Sequence, residues 1–280
     1  MVCVRSLLTQ RRVLFCIFAY TALTCLYMFD LQSGQTTISF FQYLIYSAWV
    51  SVVKLCIMLG INVDTSWHGQ AGFILSHMKE HTVPEWVDNW VVDLGAHDGV
   101  WLSNSLPFLQ RGLHGLLVEA NKVNFDAMKS NLHKFKDRVT MVNALVGFGE
   151  PGGSFYPGAF GRLVQKGPLW DGTQLSASPC QQGVVGCEEI ISFPRLLKEN
   201  GVPQLFLVMT IDVEAKGVLL DGLLRDVVKA GWLPWYLVIE INPSHPKHVL
   251  EGLGYTSLGR FRHDEAFYTS RCQKGPGAKQ

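Results

Sequence analysis

The chain has 280 residues, 48% hydrophobic residues and a net charge of +1 at pH 7. This length suits one α/β domain with an extension, and the near-neutral charge gives no support for a nucleic-acid partner, which usually shows as a strongly basic domain. The seven cysteines include no C-x-x-C pair. Since no Cys/His set has the spacing of metal ligands either, no zinc site is expected.

The amino end predicts a membrane anchor. The apolar run Val13–Phe29 contains no charged residue and follows Arg5, Arg11 and Arg12. Its length is at the short end of what crosses a bilayer, and the bulky residues after it offer no site for cleavage of a signal peptide. We therefore expect an uncleaved single-pass anchor at 13–29. The basic residues before it place 1–12 in the cytoplasm and the remaining chain on the lumenal side of the ER or Golgi.

A second apolar stretch, Ile38–Ile61, lies within a stem that we assign to residues 30–81. It contains Gln42 and Lys54. The cost of inserting a lysine favours a membrane-proximal amphipathic helix over a second span. The second span remains the alternative, and it would return the rest of the chain to the cytosol.

The next segment, 82–272, begins with the stretch that determines the rest of the interpretation. Strand Trp90–Leu94 is followed by a turn built on Gly95 and Gly99 and by the helical-looking Val100–Gln110, and a second strand, Gly115–Glu119, ends on an acid. Glycines permit positive φ and close approach of a ligand, and the acid can accept hydrogen bonds from ribose hydroxyls. This pattern predicts a nucleoside cofactor site at the carboxyl edge of a parallel sheet.

The turn itself favours one cofactor. Dinucleotide sites use G-x-G-x-x-G, whereas Ala96 replaces the middle glycine here and Asp98 projects into the turn. A carboxylate repels phosphate and suits a cation. S-adenosylmethionine, with an ammonium and a sulfonium group and no phosphate, therefore fits better than NAD. An NAD-dependent oxidoreductase is the less favoured alternative.

Strands and helices alternate along the rest of the domain, which predicts a mostly parallel, doubly wound α/β sheet with an antiparallel pair of strands at its end. A short helix, His68–His81, precedes it. The later predicted elements are helix Asn121–Phe135, strand Val139–Val146, helix Ile190–Asn200, strand Leu205–Asp212, helix Lys216–Ala230, strand Trp235–Ile241 and the antiparallel strands Tyr255–Phe261 and Glu265–Thr269.

The segment Glu150–Cys187 interrupts this alternation. It is rich in Gly, Pro and Ser and has no sustained periodicity. Such a loop either folds over the cofactor and supplies the acceptor pocket or is a floppy insertion, and the sequence does not favour one over the other. Cys180 and Cys187 could close a small loop in an oxidising lumen. The tail 273–280 is expected to be disordered.

Four motifs together resemble the FkbM family of class I S-adenosylmethionine-dependent methyltransferases, over about Trp90 to Thr269. They are Val92-Asp93-Leu94-Gly95-Ala96-His97-Asp98-Gly99, Val118-Glu119-Ala120-Asn121, Asn143-Ala144-Leu145-Val146-Gly147 and Ile211-Asp212-Val213-Glu214. The resemblance implies a Rossmann-like fold and O-methylation of a hydroxyl of a sugar, lipid or small metabolite at a membrane. It also implies a small-molecule or glycan acceptor, and the near-neutral charge leads us to expect no nucleic acid.

The resemblance assigns roles residue by residue. Glu119 would hold the ribose, and Asn143 and Ala144 would approach the adenine. Asp212 would be the base for the acceptor hydroxyl or meet the cofactor ammonium, Glu214 would assist it, and His245 or His263 are weaker alternatives for the base. The residues assigned to the methionine portion are Asp93, Gly95, Ala96, Asp98 and Gly99.

One departure from the family pattern keeps a second hypothesis open. The usual Asp-Val-Glu-Gly-x-Glu is Asp212-Val213-Glu214-Ala215-Lys216-Gly217 here, so a glycine and the last acid are lost. A catalytically inactive, membrane-bound interaction module is therefore the alternative to an enzyme. The retained Asp93, Gly95 and Glu119 favour the enzyme. A divalent metal is possible but not supported, because Asp212 and Glu214 would point to opposite faces of one strand unless the strand has already ended at Asp212.

Overall fold

The computed structural model describes residues 38–148, 156–157, 190–212, 217–240, 247–262 and 264–269. The chain divides into two compact units, Met1–Val63 and Asp64–Gln280. Several predictions fall outside the described residues: the anchor at 13–29, most of the loop Glu150–Cys187 with Cys180 and Cys187, the tail 273–280, and Glu214, His245 and His263.

The first unit contributes helix α1 (Ile38–Met58), which lies within the predicted membrane-proximal stretch. The helix ends at a reversal, where Gly60 has φ 69° and the Ile61 amide donates to the Cys56 carbonyl at 2.8 Å. Among the described residues, α1 included, no helix is both long and apolar enough to cross a membrane.

The second unit is an α/β domain. Its described helices are α2 (Gln70–Glu80), α3 (Leu106–Leu109), α4 (Lys122–Asn131), a 3-10 turn (His133–Phe135), α5 (Phe193–Glu199), α6 (Gly217–Lys229) and α7 (Lys247–Gly252). Its described strands are β1 (Asp88–Leu94), β2 (His114–Val118), β3 (Val139–Val142), β4 (Leu145–Phe148), β5 (Tyr156–Pro157), β6 (Ile190–Ser192), β7 (Leu205–Ile211), β8 (Leu233–Glu240), β9 (Tyr255–Phe261) and β10 (Asp264–Thr269).

Seven of these strands form one sheet in the order β3-β2-β1-β7-β8-β10-β9. The first five are parallel to one another, and β10 lies antiparallel to both β8 and β9. This is a Rossmann-like, doubly wound arrangement. It confirms the predicted parallel sheet with an antiparallel carboxyl-terminal pair.

The central strands are apolar because both of their faces are covered. Every residue of β7 from Phe206 to Ile211 is buried, and β8 is buried from Pro234 to Ile239. Continuous apolar runs are expected for parallel strands that carry helices on both sides. Between β1 and β7 the order of strands reverses, and ligands bind outside the carboxyl ends of strands at such a point.

Near the site, the predicted extents of one helix and one strand were wrong. Only Leu106–Leu109 of the predicted helix Val100–Gln110 is helical, because Leu102 adopts a left-handed φ of 54° and Ser103 Oγ accepts the Leu106 amide at 3.1 Å. The predicted strand Val139–Val146 is broken after Val142. Its second half, β4, leaves the main sheet and joins a small sheet in the order β5-β4-β6.

The segment after the long loop also differs from its prediction. The residues Ile190–Ser192 form β6, parallel to β4, and the helix begins only at Phe193. Pro194 lies in the first turn of that helix, where a missing amide is tolerated. Tyr156–Pro157 pairs with β4 inside the predicted loop, and helix α7 was not predicted.

Candidate functional site

The strand register brings four predicted site residues to one edge. Leu94 pairs with Val118 of β2 and with Ile211 of β7, and Val118 pairs with Val142 of β3. The residues that follow these strand ends are therefore neighbours along the carboxyl edge of the sheet. They are Gly95, Glu119, Asn143 and Asp212.

The loop Gly95–Gly99 crosses the end of β2. The amides of Gly95 and Ala96 both donate to the Val118 carbonyl at 3.0 Å. Gly95 has φ 85° and His97 has φ 51°, values that L-residues seldom adopt. This conformation turns the backbone sharply and is the reason for a glycine at the start of the loop.

Glu119 holds this loop. Its Oε2 accepts the His97 amide at 2.8 Å and its Oε1 accepts the Asn121 amide at 2.7 Å. Burial raises the pKa of Glu119, and the hydrogen bonds from Asn121 and His97 oppose that rise. Each carboxylate oxygen still has acceptor capacity for a hydroxyl, which suits the predicted ribose contact.

Asp93 lies deeper, beneath the start of the loop. It is only 3% exposed, and it accepts hydrogen bonds from the side chains of Thr210 and Ser105. Burial raises the pKa of Asp93, while the two hydroxyl bonds act in the opposite direction. Asp93 thus connects the loop after β1 to strand β7.

Asp98 and Gly99 make close contacts within the protein. Asp98 is fully buried, and its Oδ1 accepts the amides of Val100 at 2.9 Å and Trp101 at 2.7 Å. A Cβ on Gly99, which has φ 72°, would lie 2.6 Å from Leu132 Cδ1. The missing side chain therefore leaves room for Leu132 and for Met128 of α4. Contact of Gly99 with the methionine portion of the cofactor stays a prediction.

Asn143 carries an unsatisfied polar atom. Its Nδ2 donates to the carbonyls of Glu119 at 2.7 Å and Ala120 at 3.1 Å, whereas its buried Oδ1 has no hydrogen-bond partner. An unpaired buried acceptor costs about 1–3 kcal/mol. A ligand amine could satisfy it, which agrees with the predicted approach of an adenine. The adjacent Ala144 is buried.

Asp212 follows β7 directly. Its side chain is exposed, and its amide donates to the Leu94 carbonyl at 2.9 Å, so the residue is fixed beside the start of the Gly95–Gly99 loop. This position suits a base for an acceptor at the mouth of the site. The roles of Glu214, His245 and His263 stay predictions, because these residues lie outside the described ranges.

The sequence analysis missed several polar residues near the site. Thr210 interrupts an otherwise apolar strand, and a lone polar residue within such a run was the available signal. Ser105 and Asn104 belong to a polar triplet in a segment we took as helical. Asn104 is buried and its Oδ1 has no partner. Within the part of the chain that the structure describes, no group of three or more His, Cys, Asp or Glu side chains is placed to hold a metal ion.

No protein-family model matches this sequence, and no curated protein is detectably similar to it in sequence. Several methyltransferases are among the solved structures that match it. The METTL16 methyltransferase domain has a TM-score of 0.39 and 12% identity, and the match covers 71% of this chain and 64% of that one, just under two thirds. The amino-terminal domain of human METTL16 in complex with SAH has a TM-score of 0.37 and 10% identity, with 71% and 67% covered.

A third structure is Sp1610 of Streptococcus pneumoniae, assigned as a tRNA (m1A22) methyltransferase, with a TM-score of 0.37, 11% identity and 70% and 68% of the two chains covered. Our expectation of a small-molecule or glycan acceptor and no nucleic acid was wrong, because a protein assigned to act on tRNA is among these structures. The acceptor was inferred from the motif resemblance, and the absence of a nucleic-acid partner from net charge. Net charge is a sum over the chain, whereas contacts to phosphate depend on local basic side chains.

Proposed function

We propose that the unit Asp64–Gln280 binds S-adenosylmethionine at the carboxyl edge of its sheet and transfers the methyl group to an acceptor. The observation that carries this proposal is the buried Glu119 carboxylate. It fixes the Gly95–Gly99 loop through the His97 amide and retains acceptor capacity for ribose hydroxyls.

The residues of this edge fit the parts of that cofactor. Glu119 would accept hydrogen bonds from the ribose, and the unpaired Asn143 Oδ1 would accept one from the adenine amine. Asp93 and the Gly95 turn would lie at the methionine portion, where carboxylates favour the ammonium group. No phosphate needs to be bound, which agrees with the acids Asp93 near the end of β1 and Glu119 just after β2. When bound, the cofactor supplies a methyl group on a sulfonium, a neutral thioether being the leaving group.

The resemblance to the FkbM motifs leads us to propose a hydroxyl oxygen as the methyl acceptor. The oxygen forms a bond to the methyl carbon as the carbon–sulfur bond breaks, and its proton passes to the Asp212 carboxylate. Asp212 is exposed at the mouth of the site, where it can reach an acceptor. In-line attack depends on holding the hydroxyl near the methyl carbon, so positioning contributes as well as proton transfer.

We also propose that the apolar run Val13–Phe29 holds the protein at a membrane, with residues 1–12 in the cytoplasm and the second unit on the lumenal side. The charge-free run and the arginines before it support this. Alkaline extraction of cell membranes tests the anchor, because a spanning helix stays in the pellet. Protease protection of the second unit in intact microsomes tests the side. Digestion without detergent would contradict the lumenal placement.

Isothermal calorimetry of the full chain with S-adenosylmethionine tests the cofactor. We expect binding by the wild type and a large loss in Glu119→Ala and Asp93→Ala. The matched control is Glu199→Ala, because Glu199 is an exposed acid on α5 that pairs with the side chain of Arg195 in the same helix. NAD should not compete. Absence of binding by a folded wild-type protein would refute the enzyme and leave the inactive interaction module.

If the cofactor binds, methyl transfer from labelled S-adenosylmethionine is measured on cell extract, with the RNA fraction analysed apart from the rest. We expect Asp212→Asn to keep cofactor affinity and to lose transfer, since the residue lies at the mouth of the site. A methyl group found on carbon or nitrogen would contradict the proposed O-methylation while leaving the methyltransferase intact.

A further inference from the structure

A mixed aromatic and basic surface lies near the candidate site. We define the rim as Trp67, Phe73, Arg260, Phe261 and Arg262. Trp67 is 41% exposed and Phe73 is 40% exposed, and both arginines are exposed. The rings of Phe73 and Phe261 meet edge to face, with centroids 5.2 Å apart. Exposed aromatic rings close to arginines form a candidate binding surface.

The register of the sheet places the rim at the edge that holds the site. Asp264 pairs with Glu240, the last residue of β8, which runs parallel to β7. The turn at Arg262 therefore lies at the carboxyl edge. The Gln70 side-chain amide donates to the Asp264 carboxylate, and Phe73, one turn along α2, packs on Phe261. The first turn of α2 is thus fixed against this edge.

The segment before α2 leads back to the loop that follows Gly99. Thr65 Oγ1 donates to the Ser103 carbonyl at 2.8 Å, and both residues are buried. The next residue, Asn104, is 7% exposed, and its Oδ1 is buried with no hydrogen-bond partner. A buried amide oxygen without a donor is unfavourable, and a ligand that reaches it can supply the donor.

These features together suit one class of acceptor. Unpaired bases stack on exposed aromatic side chains, phosphates pair with arginines, and a ribose hydroxyl or base amine can donate to a buried amide oxygen. Two acids lie nearby: Asp264 is buried and accepts a hydrogen bond from Gln70, and Glu265, which is opposite Arg260 in the β9–β10 register, accepts one from the Ser257 hydroxyl. The phosphate contact is therefore assigned to Arg262.

We propose that the rim binds single-stranded RNA and presents one nucleotide to the site, where Asn104 Oδ1 accepts a hydrogen bond from it. This inference rests on the proposed function and names the substrate class of the same site. A ribose hydroxyl is then the acceptor that reaches Asp212. Aromatics and arginines also suit a bilayer surface, but a bilayer would not supply a donor to a buried amide oxygen such as Asn104 Oδ1.

Fluorescence anisotropy of a short labelled single-stranded RNA on the full chain, with saturating S-adenosylhomocysteine and a series of salt concentrations, tests this. We expect Trp67→Ala to weaken binding about tenfold through lost stacking. Arg262→Ala should lower the slope of log affinity against log salt by about 0.7, the value for one single-strand phosphate contact. Asn104→Ala should weaken binding about fivefold without changing that slope, since it removes an uncharged hydrogen bond.

Two control variants remove similar side chains at exposed positions away from the rim. Arg195→Ala on α5 removes the same charge as Arg262→Ala and should keep the salt slope, and Val123→Ala on α4 removes an exposed apolar side chain and should keep the affinity. Equal losses in rim and control variants, or none in either, would overturn the proposal.

Two further readouts separate the proposals. S-adenosylhomocysteine affinity is measured on the same samples, so cofactor binding without RNA binding refutes only this inference. RNA binding without cofactor binding refutes the proposed function, and with it the presentation of a nucleotide for methylation. Loss of binding to phosphatidylserine vesicles in the rim variants, with RNA binding unchanged, would assign the rim to a membrane and refute RNA.

Discussion

Gly99 shows what one residue contributes to the loop. It combines a φ of 72° with a Cβ position only 2.6 Å from Leu132 Cδ1 and 3.0 Å from Met128 Cγ. A side chain here meets both backbone strain and crowding. Gly201 has a similar φ of 65° but nothing within 4 Å of its Cβ position, so it separates the two effects.

We therefore predict different costs for alanine at these two glycines. Gly201→Ala should lower the free energy of unfolding by about 1 kcal/mol, the cost of a left-handed L-residue. Gly99→Ala should lower it by about 3 kcal/mol, because overpacking adds to that strain. Urea denaturation of both variants measures the difference. Equal losses would show that α4 yields to the added methyl group.

Glu119 predicts a pH dependence of cofactor binding. Burial raises its pKa above 4.5, and hydroxyl donors prefer the ionised carboxylate. The affinity for S-adenosylmethionine should rise with pH through the raised pKa and then level off. Glu119→Gln should bind weakly, without this pH-dependent rise. Calorimetry over a pH series compares the two, and a parallel rise in the variant would assign the titration to another group.

The Glu119 carboxyl has the opposite effect on folding: cofactor affinity should rise with pH, whereas folding stability should fall. Between 4.5 and the raised pKa, the folded protein binds more protons at Glu119 than the unfolded chain does. The contribution of this group to the free energy of unfolding therefore falls as pH rises through that window. As pH rises through that range, the free energy of unfolding of the wild type should fall relative to that of Glu119→Gln.

At the scale of elements, α2 docks through a histidine. His77 Nδ1 lies 2.9 Å from the Tyr236 hydroxyl of β8. Burial raises the pKa of Tyr236 to about 12, so it remains neutral. Burial and the neighbouring His81 lower the pKa of His77, and Glu80 acts in the opposite direction. The folded protein therefore resists protonation of His77.

Acidification should consequently loosen α2. As pH falls below 6.5 the unfolded segment takes up a proton that the docked helix resists, so stability falls toward the lowered pKa of His77. Hydrogen exchange, corrected for intrinsic rates, should show protection of α2 amides decreasing more than that of β7. In His77→Gln, acidification should no longer reduce the protection of α2 more than that of β7. In the control His133→Gln, a change at an exposed histidine, α2 should still lose more protection than β7. Uniform loss across both elements would instead indicate global destabilisation.

The sequence predicted elements well where the pattern was local and repetitive. Strands β1, β2, β7 and β8 are apolar runs, and acids or glycines at their ends marked the carboxyl edge correctly. The break after Val142 was not predictable, because Asn143 is held by the carbonyls of Glu119 and Ala120 in a different element. For the same reason the bond from Thr210 to Asp93, which joins β7 to β1, had no sequence signal beyond one polar residue.

At the scale of the whole molecule, the site belongs to no single element. It is formed by the ends of β1, β2, β3 and β7, so the proposed cofactor would contact residues that follow four of the five parallel strands. A ligand that binds only the folded state stabilises it by about 2.7 kcal/mol at one hundred times its dissociation constant. For a domain of this size that stabilisation corresponds to an increase in Tm of roughly 5–10 °C.

We predict such an increase with S-adenosylmethionine and with S-adenosylhomocysteine, and none with NAD. Because the strands that end at the site belong to one sheet, the transitions followed by tryptophan fluorescence and by far-ultraviolet circular dichroism should move together. Glu119→Ala should lose the increase at the same ligand concentration, and Glu199→Ala should keep it. A shift that persists in Glu119→Ala would place the bound ligand away from this edge, and separate transitions would show that the cofactor stabilises only part of the sheet.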